Sequence, residues 1–164
     1  MALDFDPIEE AARNWATRGW GGTDVMRAAT AITRAHQILH GRIDAALAPL
    51  DLNFSRFEVL ALLSFTRAGE LPMGKIGDRL QVHAASVTNT IQRLEVLGFV
   101  DRIRHQDDGR TVLARLLPAG RTAAQAGAEA LAAIEYGLEG LQPEERDRVA
   151  EALVEFRAAN GDFA

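Results

Sequence analysis

The sequence predicts a mainly helical chain that carries one small β-hairpin. Three observations predict it. Apolar residues recur at helical spacing through most of the 164 residues. Two short amphipathic stretches, 74–82 and 84–98, are joined by only a few residues around Gln81 to His83. Directly after them the period changes to alternation over 99–104 and 110–117, with the polar turn HQDDG between.

Each element has a local cause. Residues 4–18 read as a helix opened near Pro7 and stopped by Gly19. The joint WGGTD follows, and Thr23 or Asp24 is placed to cap the next helix. That helix carries Val25, Ala29, Ile32, Leu39, Ile43 and Leu47 on one stripe up to Pro49. Its length exceeds the usual globular helix, as expected of half a shared interface. Residues 50–65 form the next helix, with Asn53 as cap and Ser55-x-x-Glu58 as a rival capping box. RAGELP reads as a turn. The pair 74–82 and 84–98 bury Ile76 and Leu80, then Val87, Ile91, Leu94 and Leu97, and Gly98 stands where a left-handed cap belongs. The hairpin is the only clear strand signal. After Pro118, an alanine-rich helix shows Leu131, Ile134 and Leu138 on one face. Pro143, Glu144 and Glu145 then open a last helix with the stripe Val149, Leu153 and Phe156.

Composition narrows the classes. Zero cysteines exclude disulfides and thiolate zinc sites and suit a reducing compartment. No apolar run approaches the roughly 18 residues of a membrane span, and the acidic start MALDFDPIEE does not read as a signal peptide, so a cytoplasmic protein is expected. The net charge of −5 conceals an asymmetry: residues 71–121 hold eight Lys or Arg against five Asp or Glu, a net +3, while the remainder carries −8. A basic middle on an acidic frame suits one polyanion-facing lobe.

Two tightly joined short helices followed at once by a hairpin make a winged helix-turn-helix. The second short helix fits a DNA major groove, and the wing reaches the flanking minor groove. Ala84, Ala85, Ser86, Asn89 and Thr90 are small or polar, lie toward the start of that helix and are the expected base-facing set. Asn89 suits an adenine edge, and Arg93, one turn on, suits a phosphate. At the wing, Arg110 follows the Asp-Asp-Gly turn and is placed to enter a narrow minor groove, with Asp108 expected to fix its guanidinium. Arg102, Arg104 and Arg115 are expected to supply charge along the strands.

At this point the chain resembles a known family. Phe57-x-Val59-Leu60, Ile76-x-Asp78-Arg79-Leu80, Ser86-Val87-Thr88, Arg93-Leu94-Glu95-x-x-Gly98-Phe99-Val100, Asp108-Gly109-Arg110 and Gly120-Arg121 follow one another at the spacing of MarR-type transcription regulators, over roughly residues 23–160. The resemblance implies a homodimer whose long N- and C-terminal helices form a dimerisation lobe. It also implies a repressor on a near-palindromic operator, released from DNA when a small ligand binds. The implied regions are an N-terminal extension and joint over 1–22, a dimerisation region over 23–50 and 118–164, and a winged-helix DNA-binding region over 51–117. The chain departs from the pattern at Pro72-Met73-Gly74, where Ser or Thr is usual, at Gly77 in place of alanine, at His83 in place of a serine cap, and at Leu117-Pro118 in place of Leu-Thr.

The extra first helix with Trp15 is similar to the family branch that responds to urate. There, as the resemblance has it, a tryptophan works with an acid on the second helix and arginines on the recognition helix and wing. Glu58 stands where the aspartate would be, Thr90 replaces an arginine, and Arg102 or Arg104 remains as wing partner, so another small anionic or aromatic ligand is expected rather than urate. Packing of Trp15 and Trp20 against the core is the plainer alternative. His36 and His40, one helical turn apart, join Trp15, Glu58 and Arg102 as candidate ligand contacts. Without a third ligand they predict interface packing rather than a metal, and neither metal nor cofactor is expected. No P-loop, G-x-S-x-G, HExxH or cysteine nucleophile is present, so no enzyme is predicted. The rival from another class is a dimeric protein-interaction module without DNA binding.

Overall fold

The computed structural model describes residues 3–105, 108 and 110–163. They form two compact units, Met1–Arg42 and Ile43–Ala164. The turn residues Gln106, Asp107 and Gly109 lie outside the described residues.

In the first unit, α1 (Pro7–Thr17) starts where Asp6 Oδ1 accepts from the Ile8 N–H at 2.8 Å and the Glu9 N–H at 3.4 Å. This satisfies two of the amides a helix leaves open at its start. α2 (Thr23–Leu47) runs 25 residues and crosses into the second unit. Neither Thr23 nor Asp24 precedes it as a cap: both lie inside its first turn, and the Met26 N–H bonds the Gly22 carbonyl at 2.9 Å. Gly22 sits at φ 70°, a backbone that glycine adopts freely, which fixes the helix start one residue earlier than a side-chain cap would. Arg27 Nε pairs with Glu9 at 3.0 Å and ties α2 to α1.

In the second unit, α3 (Phe54–Ser64) is capped by Asn53, whose side chain accepts from the Arg56 N–H at 3.0 Å. The rival capping box at Ser55 is not used as a cap. RAGELP is more than a turn, because β1 (Glu70–Pro72) pairs antiparallel with β3 (Val112–Leu116), setting Leu71 opposite Ala114. With β2 (Val100–Arg104) beyond β3, the sheet has three strands in the order β1-β3-β2. Proline is tolerated in β1 because that strand lies at the sheet edge.

α4 (Met73–Leu80) and α5 (Ala84–Val96) form the helix-turn-helix. Gln81 makes the turn in the left-handed region at φ 51°. A side chain at Gly77 would meet the Val82 carbonyl at 3.1 Å, so the glycine, weak as a helix former, lets α4 close tightly on the turn. Neither Pro72 nor His83 caps its helix with a side chain. α5 ends with the Gly98 N–H on Glu95 O at 2.9 Å and the Phe99 N–H on Leu94 O at 2.9 Å, a Schellman closure with Gly98 at φ 70°. α6 (Pro118–Ala133) follows β3 directly, and α7 (Pro143–Ala159) opens with Glu145 accepting from the Gln142 N–H at 2.9 Å.

One core joins α3, the two short helices, the sheet and α6. Leu60, Leu63, Ile76, Ile91, Leu94 and Leu131 are fully buried in it. Gly120 decides how closely α6 meets the wing: a Cβ there would lie 2.1 Å from Phe99 O and 2.9 Å from Leu116 Cδ1. Gly120→Ala is therefore expected to destabilise the protein by about 3 kcal/mol through overpacking against rigid backbone. Urea unfolding checks this, and an unchanged midpoint would show that α6 does not press on the Phe99 carbonyl.

Candidate nucleic-acid interface

α5 is two-faced. Val87, Ile91 and Leu94 are buried, which fixes its inner face, while Ala84, Ala85, Ser86, Asn89 and Arg93 are exposed along its outer face. Burying three such side chains contributes about 1.5–3 kcal/mol each. The outer face begins with two methyl groups and a hydroxyl, so little stands between the helix axis and whatever approaches. Thr90 differs from its neighbours. It is half-buried and lines a small cavity of about 50 Å³ with Ser55, Glu58 and Ser86, so it faces α3 as much as solvent.

The wing is ordered by its acids. Asp108 does not clasp the Arg110 guanidinium: its Oδ1 accepts from the Arg110 backbone N–H at 3.1 Å and its Oδ2 from the Thr111 hydroxyl at 2.7 Å. An Asx turn of this kind shapes the backbone and leaves the arginine side chain outward. Arg110 is exposed. Two strand arginines expected to offer charge are already paired. Arg115 meets Asp101 in a two-point contact at 3.0 and 2.5 Å, and Arg102 meets Glu95 of α5 at 2.7 Å. Asp101 raises the already high pKa of Arg115, first through its hydrogen bonds and then through its charge. Arg93, Arg104 and Arg110 have no ion pair among the described residues and project from one helix and one hairpin.

The expected ligand contacts fall in both units. In the first, Trp15 Nε1 donates to the Gly21 carbonyl at 3.0 Å and its ring meets Trp20 edge-on at 4.9 Å. His36 and His40 stack edge-on at 5.7 Å, and no group of three or more metal-ligating side chains exists among the described residues. In the second, Glu58 lines an open apolar groove of about 530 Å³ walled by Phe54, Phe57, Phe65 and Tyr136. Arg102 is not among the groove's lining residues. Arg121 is, and sequence reasoning passed it over as a binding residue. Its only signal was the Gly120-Arg121 pair, in which the glycine packs and the arginine faces the groove.

The sequence model of the MarR family matches residues 52–112. The structure is similar to Sco5413, a MarR family transcriptional regulator from Streptomyces coelicolor, with 42% identity, a TM-score of 0.80, and coverage of 87% of this chain and 99% of that one. The chain belongs to the MarR family. Two more distant structures share the MarR fold. One is a mutant MarR from E. coli complexed with operator DNA, at 20% identity, TM-score 0.72, and coverage of 81% and 95%. The other is Bordetella bronchiseptica BpsR, whose DNA binding is regulated by 6-hydroxynicotinic acid, at 22% identity, TM-score 0.71, and coverage of 78% and 91%. No curated protein matches the chain. The winged helix-turn-helix of a MarR transcriptional regulator is thus the frame that holds α5 and the hairpin.

The Thr111 hydroxyl, first, and the Arg110 amide, second, hold the Asp108 carboxyl below the ordinary carboxylate range. A folded-state value below the unfolded one stabilises the turn at pH above about 3.9, and that contribution is lost as pH falls through the lowered value. An NMR titration of the Asp108 carboxyl should give a midpoint below that of an unperturbed aspartate. A midpoint at or above it would mean the two donors do not hold the turn in solution.

Proposed function

We propose that this MarR protein binds double-stranded DNA sequence-specifically as a homodimer on a near-palindromic operator, represses transcription there, and is released by a small anionic or aromatic ligand. The observation that carries the reading is the outer face of α5, where Ala84, Ala85, Ser86, Asn89 and Arg93 are exposed above a buried Val87-Ile91-Leu94 stripe. Small residues at the start of the helix admit it deeply into a major groove about 12 Å wide, and Asn89 then meets an adenine edge. Arg93 and Arg104 meet phosphates, and Arg110, its backbone held by Asp108, enters the minor groove.

Dimer formation is supported by helices that find no cover in one chain. None of the described residues of α7 is buried, and Val149, Val154 and Phe156 are exposed on it. α2 exposes Val25, Ile32 and Ile38 in the first unit. Apolar stripes of this kind need a partner surface. The groove supports the ligand reading, because four aromatic rings suit a flat apolar body and Arg121 suits an anionic group. Trp15, His36, His40, Glu58 and Arg102 remain the candidate contacts proposed from sequence. No helix among the described residues is long and apolar enough to cross a membrane. A regulator of this type acts in the cytoplasm, where the chromosome lies, and it works by binding rather than by catalysis.

Selection of bound duplexes from a random pool is expected to return a two-fold symmetric motif. An asymmetric single motif would sink the homodimer reading, and retention of no duplex would leave a protein-interaction module. Asn89→Ala should relax preference at one base position by about 1–3 kcal/mol in the same selection. An equal loss across all sequences would make Asn89 a phosphate contact instead.

A further inference from the structure

The segment after α7 meets the helix-turn-helix through one side-chain contact. Gly161, at φ 74°, reverses the chain, with its N–H on Ala158 O at 3.1 Å and the Asp162 N–H on Arg157 O at 3.1 Å. Arg157 then closes over the segment it caps: its Nε donates to Asp162 Oδ2, and its guanidinium carbon lies 5.4 Å from the centre of the Phe163 ring. The Asp162 side chain is left only 20% exposed. Its other oxygen, Oδ1, accepts from the side-chain amide of Gln81, 81 residues away in the chain. Gln81 is the left-handed residue that makes the helix-turn-helix turn, three positions before α5 begins. A carboxylate is therefore seated on the turn that leads into the base-reading face.

We propose that Asp162 acts as a phosphate mimic on the helix-turn-helix turn. In the free protein its carboxylate takes the Gln81 amide, a donor that a DNA phosphate takes when the operator docks. The proposal rests on the DNA-binding reading above and adds a regulatory contact to it. Carboxylate and phosphate present the same kind of anionic oxygen to a single N–H donor, and one donor proton serves one of them at a time. Displacement leaves Asp162 on Arg157, so its charge stays paired when the Gln81 bond opens. Because α7 carries the apolar stripe assigned to the dimer, any shift of α7 on assembly also moves the mimic against the turn.

The test is a double-mutant cycle on the full chain, read as affinity for a labelled operator duplex over a range of salt concentrations. Asp162→Ala is expected to raise affinity several-fold, because the Gln81 amide no longer has to leave a carboxylate before it meets the phosphate. Gln81→Ala is expected to weaken binding and to abolish the effect of Asp162→Ala. Gln81→Gly, which suits the left-handed backbone, should behave as Gln81→Ala does and guards against strain at the turn. If Asp162→Ala raises affinity equally in the Gln81 variants, the gain is general charge and the mimic is overturned. An unchanged or reduced affinity in Asp162→Ala overturns it as well. A parent protein that retains no duplex at all would overturn the DNA-binding reading itself, and the mimic with it.

Discussion

The seating of α5 governs the rest of the second unit. Val87, Ile91 and Leu94 enter a core shared with Leu60 and Leu63 of α3, so α5 has no freedom to rotate its outer face away from solvent. The Schellman closure at Gly98 then delivers the chain into β2, where Val100 is buried after one further residue. β2 pairs along its length with β3, and β3 runs into α6, whose Gly120 rests on the Phe99 carbonyl. α5, the wing and α6 are thus connected by short links. A surface built on such links keeps its geometry when a partner arrives, which is the condition for shape-specific recognition.

Charge is managed separately from packing. The molecule is acidic overall at −5, yet residues 71–121 carry a net +3. Two of its arginines, Arg102 and Arg115, are tied to Glu95 and Asp101. Exposed pairs of this kind contribute about 0–1 kcal/mol to stability. Their larger effect is to decide which cations point outward. Arg102 pins β2 to α5, and Arg115 pins the two wing strands together, while Arg93, Arg104 and Arg110 have no ion pair among the described residues. Asp108 serves the same end by binding backbone and hydroxyl rather than guanidinium.

Much of this was legible in the sequence wherever a signal is local. Asn53, Gly98, Pro118 and Pro143 mark element ends within a few residues of themselves, and the helix period of 84–98 against the alternation of 99–104 exposes the winged helix-turn-helix. What escaped depends on partners distant in the chain. β1 is three residues containing a proline, and only its pairing with Leu113–Arg115 makes it a strand. The Asp101–Arg115 and Glu95–Arg102 pairs follow from strand register and from how α5 leans on β2. The sequence alone leaves Trp15 as a ligand contact or a core anchor, whereas its described partners, Trp20 and Gly21, are both within six residues. Arg121 was visible as a motif residue, but that its side chain faces a groove is a property of where α6 packs.

The groove and α5 meet at α3 and the end of α4. Glu58 and Leu80 line the apolar groove, and the same two side chains line the small cavity behind Ser86 and Thr90 of α5. α3 is therefore a common wall: its Phe57 and Leu62 side chains face the groove, and its Ser55 and Val59 side chains face the cavity. A molecule in the groove would touch two side chains, Glu58 and Leu80, that also lie behind α5. Val87 of α5 lines the same small cavity, so Glu58 and Leu80 face the inner side of that helix directly. The side chains lining the groove thus abut the helix proposed to read DNA, which is the path that the proposed ligand control would use.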